Sequence, residues 1–395
     1  MAVFEITENI YSVGAVDWDR RLFDELIPLP DGTTYNSFLL KGDEKTALID
    51  AVDPTKKDVL FENLKKINFE GLDYIISNHA EQDHSGTIPD LLKAYPDSTV
   101  ITNEKCKDLL IEMLEISEEK IDIVQEGDEI SLGDLTLKFK MIPWVHWPDT
   151  MLEYVPERDI MFTCDYLGSH YATSKLFIDD YKEVEDAAKR YYAEIMMPFR
   201  NKARENLSKV KESEPNILAP SHGPIYNKPE SIISSYEKWT SKQVENKVII
   251  PYVSMHGSVQ GIVDNLVDLL IDRGIEVKPF RLTKTDTGNL AMEMVDAATI
   301  ILGSPMVLGG AHPKVIYGSL LAGALNPKTR YLSVVGSYGW GGRLVDQLTE
   351  FVGKLDADVL DPVIIKGRAG KSDIEELKRL ANDIEKKHKN DENVN

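Results

Sequence analysis

Only two cysteines, Cys106 and Cys164, occur in the 395-residue chain. A chain of this length buries a large core without disulfides, so a disulfide-stapled scaffold is not expected. Two thiols also fall short of the four that an ordinary iron–sulfur or rubredoxin-type centre needs. Any redox metal must therefore be held mainly by histidine and carboxylate. Basic charge is scarce as well: 45 Lys and Arg stand against 66 Asp and Glu, a net charge of −21. An acidic field repels phosphate backbones, so no nucleic-acid partner is expected. Long apolar runs are missing, and none reaches the roughly 20 residues that span a bilayer. The opening Met1-Ala2-Val3-Phe4-Glu5 lacks a charged leader before an apolar core. The expectation is a cytoplasmic protein with no membrane segment.

What is present is ordinary for a globular protein: 42% hydrophobic and 28% charged residues, which excludes a disordered chain, a collagen-like chain and a bare coiled coil. At about 150 residues per domain, two or three domains are expected. The texture changes near residue 245, where a helix-like stretch, Ser234 to Asn246, runs into the buried strand Val248-Ile249-Ile250. From there strand-like runs near 247–253, 276–281, 298–303, 330–336 and 358–365 alternate with helix-like segments near 259–273, 313–324, 342–354 and 372–387. That alternation predicts a doubly wound α/β domain, a parallel sheet covered on both faces. The polar tail, Glu385 to Asn395, is expected to fray. Residues 1–245 read as α+β, with strand-like runs such as Thr34 to Leu40, Thr46 to Asp50 and Leu135 to Met141 inside and helices outside.

Histidine is also scarce, with eight in the chain, yet two sit in Asn78-His79-Ala80-Glu81-Gln82-Asp83-His84-Ser85-Gly86. Four potential ligands in six residues follow the strand-like Leu72 to Ile76, which places them on a loop at a strand's end. The same grammar recurs: Leu137 to Ile142 leads to His146, Ile160 to Cys164 leads to Asp165, and Ile217 to Pro220 leads to His222-Gly223. Converging strand ends can hold several ligands rigidly around one point. Four histidines and three carboxylates are too many for one tetrahedral zinc. They suit two metals sharing a carboxylate. A carboxylate-rich set, with an oxo or hydroxo bridge added, balances two redox-active iron ions better than two zinc ions. Cys164, beside Asp165, reads as a small core residue.

The string resembles the metallo-β-lactamase signature His-x-His-x-Asp-His, with Glu81 in place of the second His. With the later His, Asp and His, it is similar to the flavodiiron proteins (A-type flavoproteins) over essentially the whole chain. Trp147-Pro148-Asp149-Thr150 and Gly32-Thr33-Thr34-Tyr35-Asn36 share the likeness. The resemblance implies a metallo-β-lactamase-like αββα sandwich over residues 1–245, followed over 246–395 by a flavodoxin-like, five-stranded, doubly wound parallel sheet. It implies that His79, Glu81 and His146 bind one iron, that Asp83, His84 and His222 bind the other, and that Asp165 bridges them. His170 falls where relatives carry a histidine close to the diiron pocket. A proton-delivery role and an ordinary hydrogen-bonded histidine both fit it.

In the second half, the first strand ends in Ser254-Met255-His256-Gly257-Ser258-Val259 and a helix pattern follows. Hydroxyls and N–H groups at a helix N-terminus cradle a phosphate. No Gly-x-Gly-x-x-Gly occurs, so the single phosphate of FMN fits better than a dinucleotide. Loops after the third strand, Ser304-Pro305-Met306-Val307, and after the fourth, Ser337-Tyr338-Gly339-Trp340-Gly341-Gly342, lie where open α/β sheets bind ligands. Val259 stands where flavodoxins usually carry Thr, and Met306 where flavodiiron relatives usually carry the Thr of Ser-Pro-Thr. Leu308-Gly309-Gly310-Ala311-His312 also departs from the usual polar run. A lost hydroxyl is expected to weaken FMN binding by on the order of 1 kcal/mol.

The expected activity is reduction of dioxygen to water, or of nitric oxide to nitrous oxide. FMN with two electrons and two irons with one each make up the four that dioxygen needs. Electrons must come from an external donor. By resemblance this is rubredoxin or a reduced deazaflavin coenzyme, and a head-to-tail homodimer or dimer of dimers brings one chain's FMN to the other's irons. Two rivals stand beside this reading. One is a zinc-dependent hydrolase with an appended flavodoxin-like domain, which Glu81 argues against. The other is a flavin electron carrier with a vestigial N-terminal half.

Overall fold

The order in which apolar residues alternate along the strands sets the architecture of the N-terminal half. In the computed structural model, which describes residues 3–353 and 355–395, the chain forms two units: Met1–Tyr192 with Phe199–Thr240, and Ala193–Pro198 with Ser241–Asn395. Met1, Ala2 and Lys354, the last of the helix-like run expected near 342–354, lie outside the described residues.

The first unit contains a seven-stranded sheet, in the order Phe4–Thr7, Ile10–Ser12, Phe38–Lys41, Thr46–Ile49, Tyr74–Ile76, Thr99–Thr102 and Ile121–Ile123. A second sheet runs Glu129–Ser131, Thr136–Met141, Met151–Val155, Ile160–Cys164 and Ile217–Pro220. Side chains on a strand point alternately to its two faces. Accordingly Phe38, Leu40, Ala47, Ile49, Ile76 and Ile101 enter one core, and Leu39, Leu48, Ile75 and Val100 enter another. The first core lies between the sheets, where Leu137, Phe139, Met151, Ile160 and Phe162 meet it. The second is covered by Leu60 and Leu64 of helix Lys57–Leu64, Leu91 of helix Ile88–Ala94, and Cys106 and Leu110 of helix Glu104–Leu114. That last helix starts where the Asn103 side chain accepts from Lys105 N and Cys106 N, both at 3.1 Å, a side-chain cap on otherwise orphaned donors. On the outer face of the second sheet, helix Arg200–Glu212 is tied down by Lys209 Nζ donating to Met141 O at 2.7 Å. The result is the αββα sandwich expected from the resemblance.

One expected strand is two. The run Thr34 to Leu40 breaks at Asn36-Ser37, and Thr33–Tyr35 pairs instead with Ala15–Asp17. The cause is the loop after Ile217–Pro220. Asn36 N donates to Ser221 O at 2.8 Å, and Asn36 Nδ2 donates to Pro220 O and Gly223 O, both at 2.7 Å. These bonds take the chain out of the sheet and clamp the loop that carries His222.

In the second unit five strand positions run parallel, in the order Glu276–Arg281, Glu245–Tyr252, Ala297–Val307, Tyr331–Tyr338, and last Asp358–Val359 with Val363–Lys366. This is the 2-1-3-4-5 order of flavodoxin-like folds, whose ligand crevice lies at the carboxyl ends of the strands. Helices Ser258–Ile271 and Lys371–Asn390 cover the sheet through Ile262, Leu266, Leu377, Leu380 and Ile384. The last strand is interrupted around Pro362, which has no N–H to offer a ladder. The third strand runs further than expected: Met306 and Val307 pair back with Gly310–Ala311 across a two-residue turn, Leu308-Gly309, both at positive φ, the geometry of a tight primed hairpin. Among the described residues, no helix is long and apolar enough to cross a membrane.

The tail does not fray as expected. Val244 N donates to Asn393 O at 2.8 Å and Asn395 N to Val244 O at 3.0 Å, and Asp391 accepts from Arg330 Nε and Tyr331 Oη, both at 2.9 Å. His388 fixes the end of the last helix, with Nε2 2.7 Å from Thr299 Oγ1 and Nδ1 2.8 Å from Asn246 Oδ1. Burial lowers its pKa from 6.5 to about 4. The unfolded chain takes up this proton near 6.5 and the folded chain only near 4. The associated stability is therefore complete above pH 6.5 and is lost as pH falls to about 4, on the order of 3 kcal/mol in all. Melting curves of wild type and His388→Gln should diverge above pH 6 and converge near pH 4. Parallel curves across that range would refute the assignment.

Candidate metal centre and flavin loops

All seven residues singled out as ligands stand at the ends of the sandwich strands, and their donor atoms face one another. His79 and Glu81 follow strand Tyr74–Ile76. Asp83 and His84 lie not on a loop, as expected, but on a helical turn, Gln82–Ser85, closed by His84 N and Ser85 N donating to Glu81 O at 3.0 Å. The turn points Asp83 and His84 at the same place. Asp165 follows Ile160–Cys164, and His222 follows Ile217–Pro220.

The donor atoms fall into two groups. In one, Glu81 Oε2 is 3.0 Å from His79 Nε2 and 3.3 Å from His146 Nε2, and Asp165 Oδ2 is 3.8 and 3.5 Å from the same nitrogens. In the other, His222 Nε2 is 3.0 Å from Asp83 Oδ2 and 3.3 Å from Asp165 Oδ1, and His84 Nε2 is 3.6 Å from Asp83 Oδ1 and 3.2 Å from Asp165 Oδ1. Asp165 thus offers one oxygen to each group. Donors about 2.1 Å from an ion lie roughly 3.0–3.4 Å apart on a tetrahedron or octahedron; the shorter spacings fit coordination, and those to Asp165 Oδ2 and from His84 to Asp83 lie somewhat beyond it. Both oxygens of Asp83, Asp165 Oδ2 and His84 Nε2 are buried without any hydrogen bond. His222 Nε2 is thus close to Asp83 without bonding to it. Orphaned buried polar atoms cost free energy unless something else satisfies them, and a cation between them would.

The outer nitrogens are held by the fold. His79 Nδ1 donates to Asp149, with Oδ1 at 3.2 Å, and Ala80 N anchors the same carboxylate at 2.8 Å. His222 Nδ1 donates to Thr34 O at 2.6 Å. These bonds turn both Nε2 lone pairs inward. His84 Nδ1 faces Asp50 Oδ2 at 3.5 Å and Cys164 Sγ at 3.9 Å. Those three atoms also approach a ligand set, but Asp50 already accepts from Asn78 N at 2.9 Å and Ser221 Oγ at 3.0 Å, and burial pushes the Cys164 thiol pKa well up. The trio supports His84 rather than seating a further ion. Asp149→Ala should free the His79 ring and weaken metal affinity about 10- to 100-fold, read by chelator competition. Unchanged affinity would show that His79 is positioned by other means.

Electrostatics favours the cage. In the protein without metal, burial alone would lower each imidazole pKa, but the carboxylates prevail. Asp149 and Glu81 lift His79, Asp165 and Glu81 lift His146, and Asp165 and Asp83 lift His222, each to about 9. The same carboxylates raise His84, and burial notwithstanding, the histidines hold Glu81 and Asp165 low.

His170 is buried beside this group, its ring 4.9 Å from those of His222 and Tyr191 and its Nδ1 2.8 Å from Thr33 Oγ1. Burial, then the neighbouring His222, keeps it neutral. Two residues escaped sequence reasoning. Tyr191 donates to Asp165 Oδ1 at 2.8 Å. Asp24, on a turn at positive φ, is pushed up to about 6 by burial and by Glu81. Neither had a sequence signal, because each reaches the centre from a distant segment.

The loops expected to hold a flavin share the carboxyl edge of the second unit. Gly257, at φ +86, caps helix Ser258–Ile271 with no side chain of its own to bond, which leaves the first-turn N–H groups ahead of Gln260 for an anion. Ser254 Oγ accepts from Gln260 N at 3.1 Å. Val259 is in the core, so its missing hydroxyl bears less on a phosphate than expected, and only its backbone faces the cradle. Ser304 Oγ donates to Pro305 O and accepts from His312 N, both at 2.9 Å, while Ser337 Oγ donates to Gly367 O at 2.6 Å. Those two hydroxyls are committed to the fold, and Ser304 to Val307 form strand rather than the expected loop. Met255, His256 and Gly339 to Gly342 are exposed.

A family model described as "ODP family beta lactamase" matches residues 33–223. The chain is 38% identical over 346 residues to the nitric oxide reductase of Moorella thermoacetica, covering 85% of this chain and 86% of the relative. It is 31% identical over 374 residues to the coenzyme F420H(2) oxidase of Methanothermobacter marburgensis, covering 91% and 92%. Its fold superposes on rubredoxin oxygen:oxidoreductase from Desulfovibrio gigas with a TM-score of 0.94, at 27% identity and 98% coverage of both chains. The zinc hydrolase reading is not favoured, and the chain belongs to the flavodiiron proteins.

Proposed function

We propose that this flavodiiron protein reduces dioxygen to water, or nitric oxide to nitrous oxide, with electrons from rubredoxin or a reduced deazaflavin coenzyme. The carrying observation is Asp165, whose two oxygens face two separate His and carboxylate groups. In this reading His79, Glu81, His146 and Asp165 hold one iron, and Asp83, His84, His222 and Asp165 hold the other. The second unit binds FMN through Ser254 to Val259, Ser304 to Val307 and Ser337 to Gly342, with residue 245 as the functional boundary. Bound iron would supply one-electron redox chemistry, and FMN would serve as the electron store.

The chain's own residues set the conditions for that chemistry. Asp149 and Thr34 fix the tautomers of His79 and His222. Glu81 and His146 are the partly exposed members, so substrate enters on their side. His170 is a candidate for passing protons, on its position beside His222. In the same reading the protein works in the cytoplasm as a head-to-tail homodimer or dimer of dimers, and sedimentation would read the number of chains. Anaerobic purification should give two irons and one FMN per chain, with consumption of dioxygen, nitric oxide or both. A colourless zinc protein with esterase activity would overturn the reading.

A further inference from the structure

Buried hydroxyls in folded proteins almost always have a hydrogen-bond partner. Among the described residues of the first unit, four that lie together have none: Ser169 Oγ, Tyr226 Oη, Tyr236 Oη and Tyr181 Oη. Different elements bring them there. Ser169 N donates to His222 O at 3.1 Å, and Ser169 Oγ lies 2.2 Å from where a Cβ on Gly223 would stand. Tyr226 is tied to Leu218 by two backbone bonds, each of 2.9 Å. Tyr236 is in helix Glu230–Thr240, and Tyr181 opens the turn Tyr181–Glu183. The rings of Tyr181 and Tyr226 are 6.4 Å apart. Burial raises the pKa of Tyr226, and the Ser169 side chain beside it pulls the other way. Burial also raises Tyr236, and so do Tyr166, Tyr226, Tyr192 and Tyr181, which face it.

The lack of partners is selective. Tyr166 and Tyr192 pack on the ring of Tyr236, each with its centroid 5.3 Å away, yet Tyr166 Oη donates to Ala203 O and Tyr192 Oη to Trp239 O. Phenylalanine would fill the place of an unpartnered tyrosine without the cost of burying a hydroxyl. Phenols kept without protein partners point to bound water, which satisfies such groups with about three hydrogen bonds of its own. The group also has two ends. At the inner end Ser169 adjoins His170, whose Nε2 is buried without a partner and whose ring is 4.9 Å from that of His222. At the outer end Tyr181 is half-buried, with Ser235 and the exposed Glu185 near its hydroxyl.

We propose that Ser169, Tyr226, Tyr236 and Tyr181 line a proton inlet, a string of bound waters running from the surface at Glu185 to the buried side of the metal centre. The inference rests on the gas-reductase reading and deepens it. Reduction of dioxygen to water and of nitric oxide to nitrous oxide both take up one proton for each electron. Asp83, His84 and His222 are buried, so protons bound for their side must cross protein. A hydroxyl both donates and accepts. Each one on the string therefore takes a proton from one neighbour while releasing its own to the next, and no phenol needs to change its charge.

The test uses the full-length protein and the variants Tyr226→Phe and Tyr236→Phe, which keep the rings. Tyr154→Phe, which removes a hydroxyl bonded to Asp159 at 2.7 Å, is the control. Neutron diffraction from crystals in heavy water should show waters bridging the Tyr226 and Tyr236 hydroxyls in the wild type and fewer in either variant. With saturating electron donor, gas consumption should fall on the order of tenfold in each variant, less than the roughly 100-fold or more that loss of a direct proton donor costs, because water remains. The solvent isotope effect on that rate should rise. Iron content, FMN content and flavin reduction should match the wild type and the control. Both variants should also melt lower, since a hydroxyl bonded to water stabilises, whereas loss of a dry one leaves the melting temperature equal or higher. Dry hydroxyls by diffraction or melting, an unchanged rate and isotope effect in both variants, or iron lost from either, in a protein whose wild type consumes gas, would overturn the inlet alone. A wild type that consumes neither gas would sink the reductase reading and the inlet's purpose together.

Discussion

Replacing Asp165 by Asn should reduce bound iron from two ions per chain to one at most and cut gas reduction by far more than the roughly 10- to 100-fold typical of outer-sphere changes. A carboxylate has two equivalent oxygens, and here each serves a different group. An amide has one. Tyr191 Oη donates to Oδ1 at 2.8 Å, which will keep the amide oxygen on that side, facing His84 and His222. The amide nitrogen then replaces Oδ2, opposite His79 and His146, where it presents hydrogens and no lone pair. The Glu81 group therefore empties first. FMN content should be unchanged, because the proposed flavin loops lie in the other unit. The substitution also removes a negative charge from among four buried imidazoles with raised pKa values. Breaking such a buried charge cluster costs about 3–5 kcal/mol, so the protein without metal should melt lower at neutral pH. Iron analysis, flavin absorbance and calorimetry read the three effects separately. Two retained irons with full turnover would remove Asp165 from the bridge.

The candidate ligand set stands out in the sequence because its residue types are compressed into a short segment. His79, Glu81, Asp83 and His84 fall within six residues, and the three later ligands each follow a strand-like run. Strand ends are readable from periodicity, and histidine is rare enough for its placement to carry information. The groups that orient the ligands were less readable. Asp50, Tyr191 and Asp24 act across tertiary distance, and nothing in their local sequence marks them. The same reason explains the broken strand at Asn36-Ser37, whose hydrogen-bond partners lie about 185 positions away, and the pinned tail, whose partners are at Val244 and Arg330. In the second unit the alternation of strands and helices gave the sheet directly. Contacts of single side chains are less readable: the Ser304 and Ser337 hydroxyls each close a bond within the fold that local sequence does not announce.

Loading iron at pH 7 should release close to four protons per chain, and apparent affinity should climb with pH until about 9. Ligation needs the Nε2 lone pair of each histidine, so a protonated imidazole must give up its proton first. With ordinary pKa values near 6.5, four histidines would together carry only about one proton at pH 7. In this cage burial disfavours the charged form, but Asp83, Asp149, Asp165 and Glu81 outweigh it and hold His79, His146 and His222 at about 9, with His84 raised as well. The sign for the fold follows. Pairing of protonated histidines with carboxylates stabilises the metal-free protein fully below pH 6.5, and this is lost as pH rises through about 9. Metal binding gains over the same interval, so the difference in melting temperature between loaded and metal-free protein should widen from pH 6.5 to 9. Calorimetric titration of ferrous iron in buffers of different protonation enthalpy counts the protons directly. A release near one at pH 7, with affinity flat above it, would mean that the carboxylates do not hold these imidazoles charged. The carboxylates have a double role in this account: they keep the cage together as ion pairs before metal arrives, and they become ligands once the protons leave.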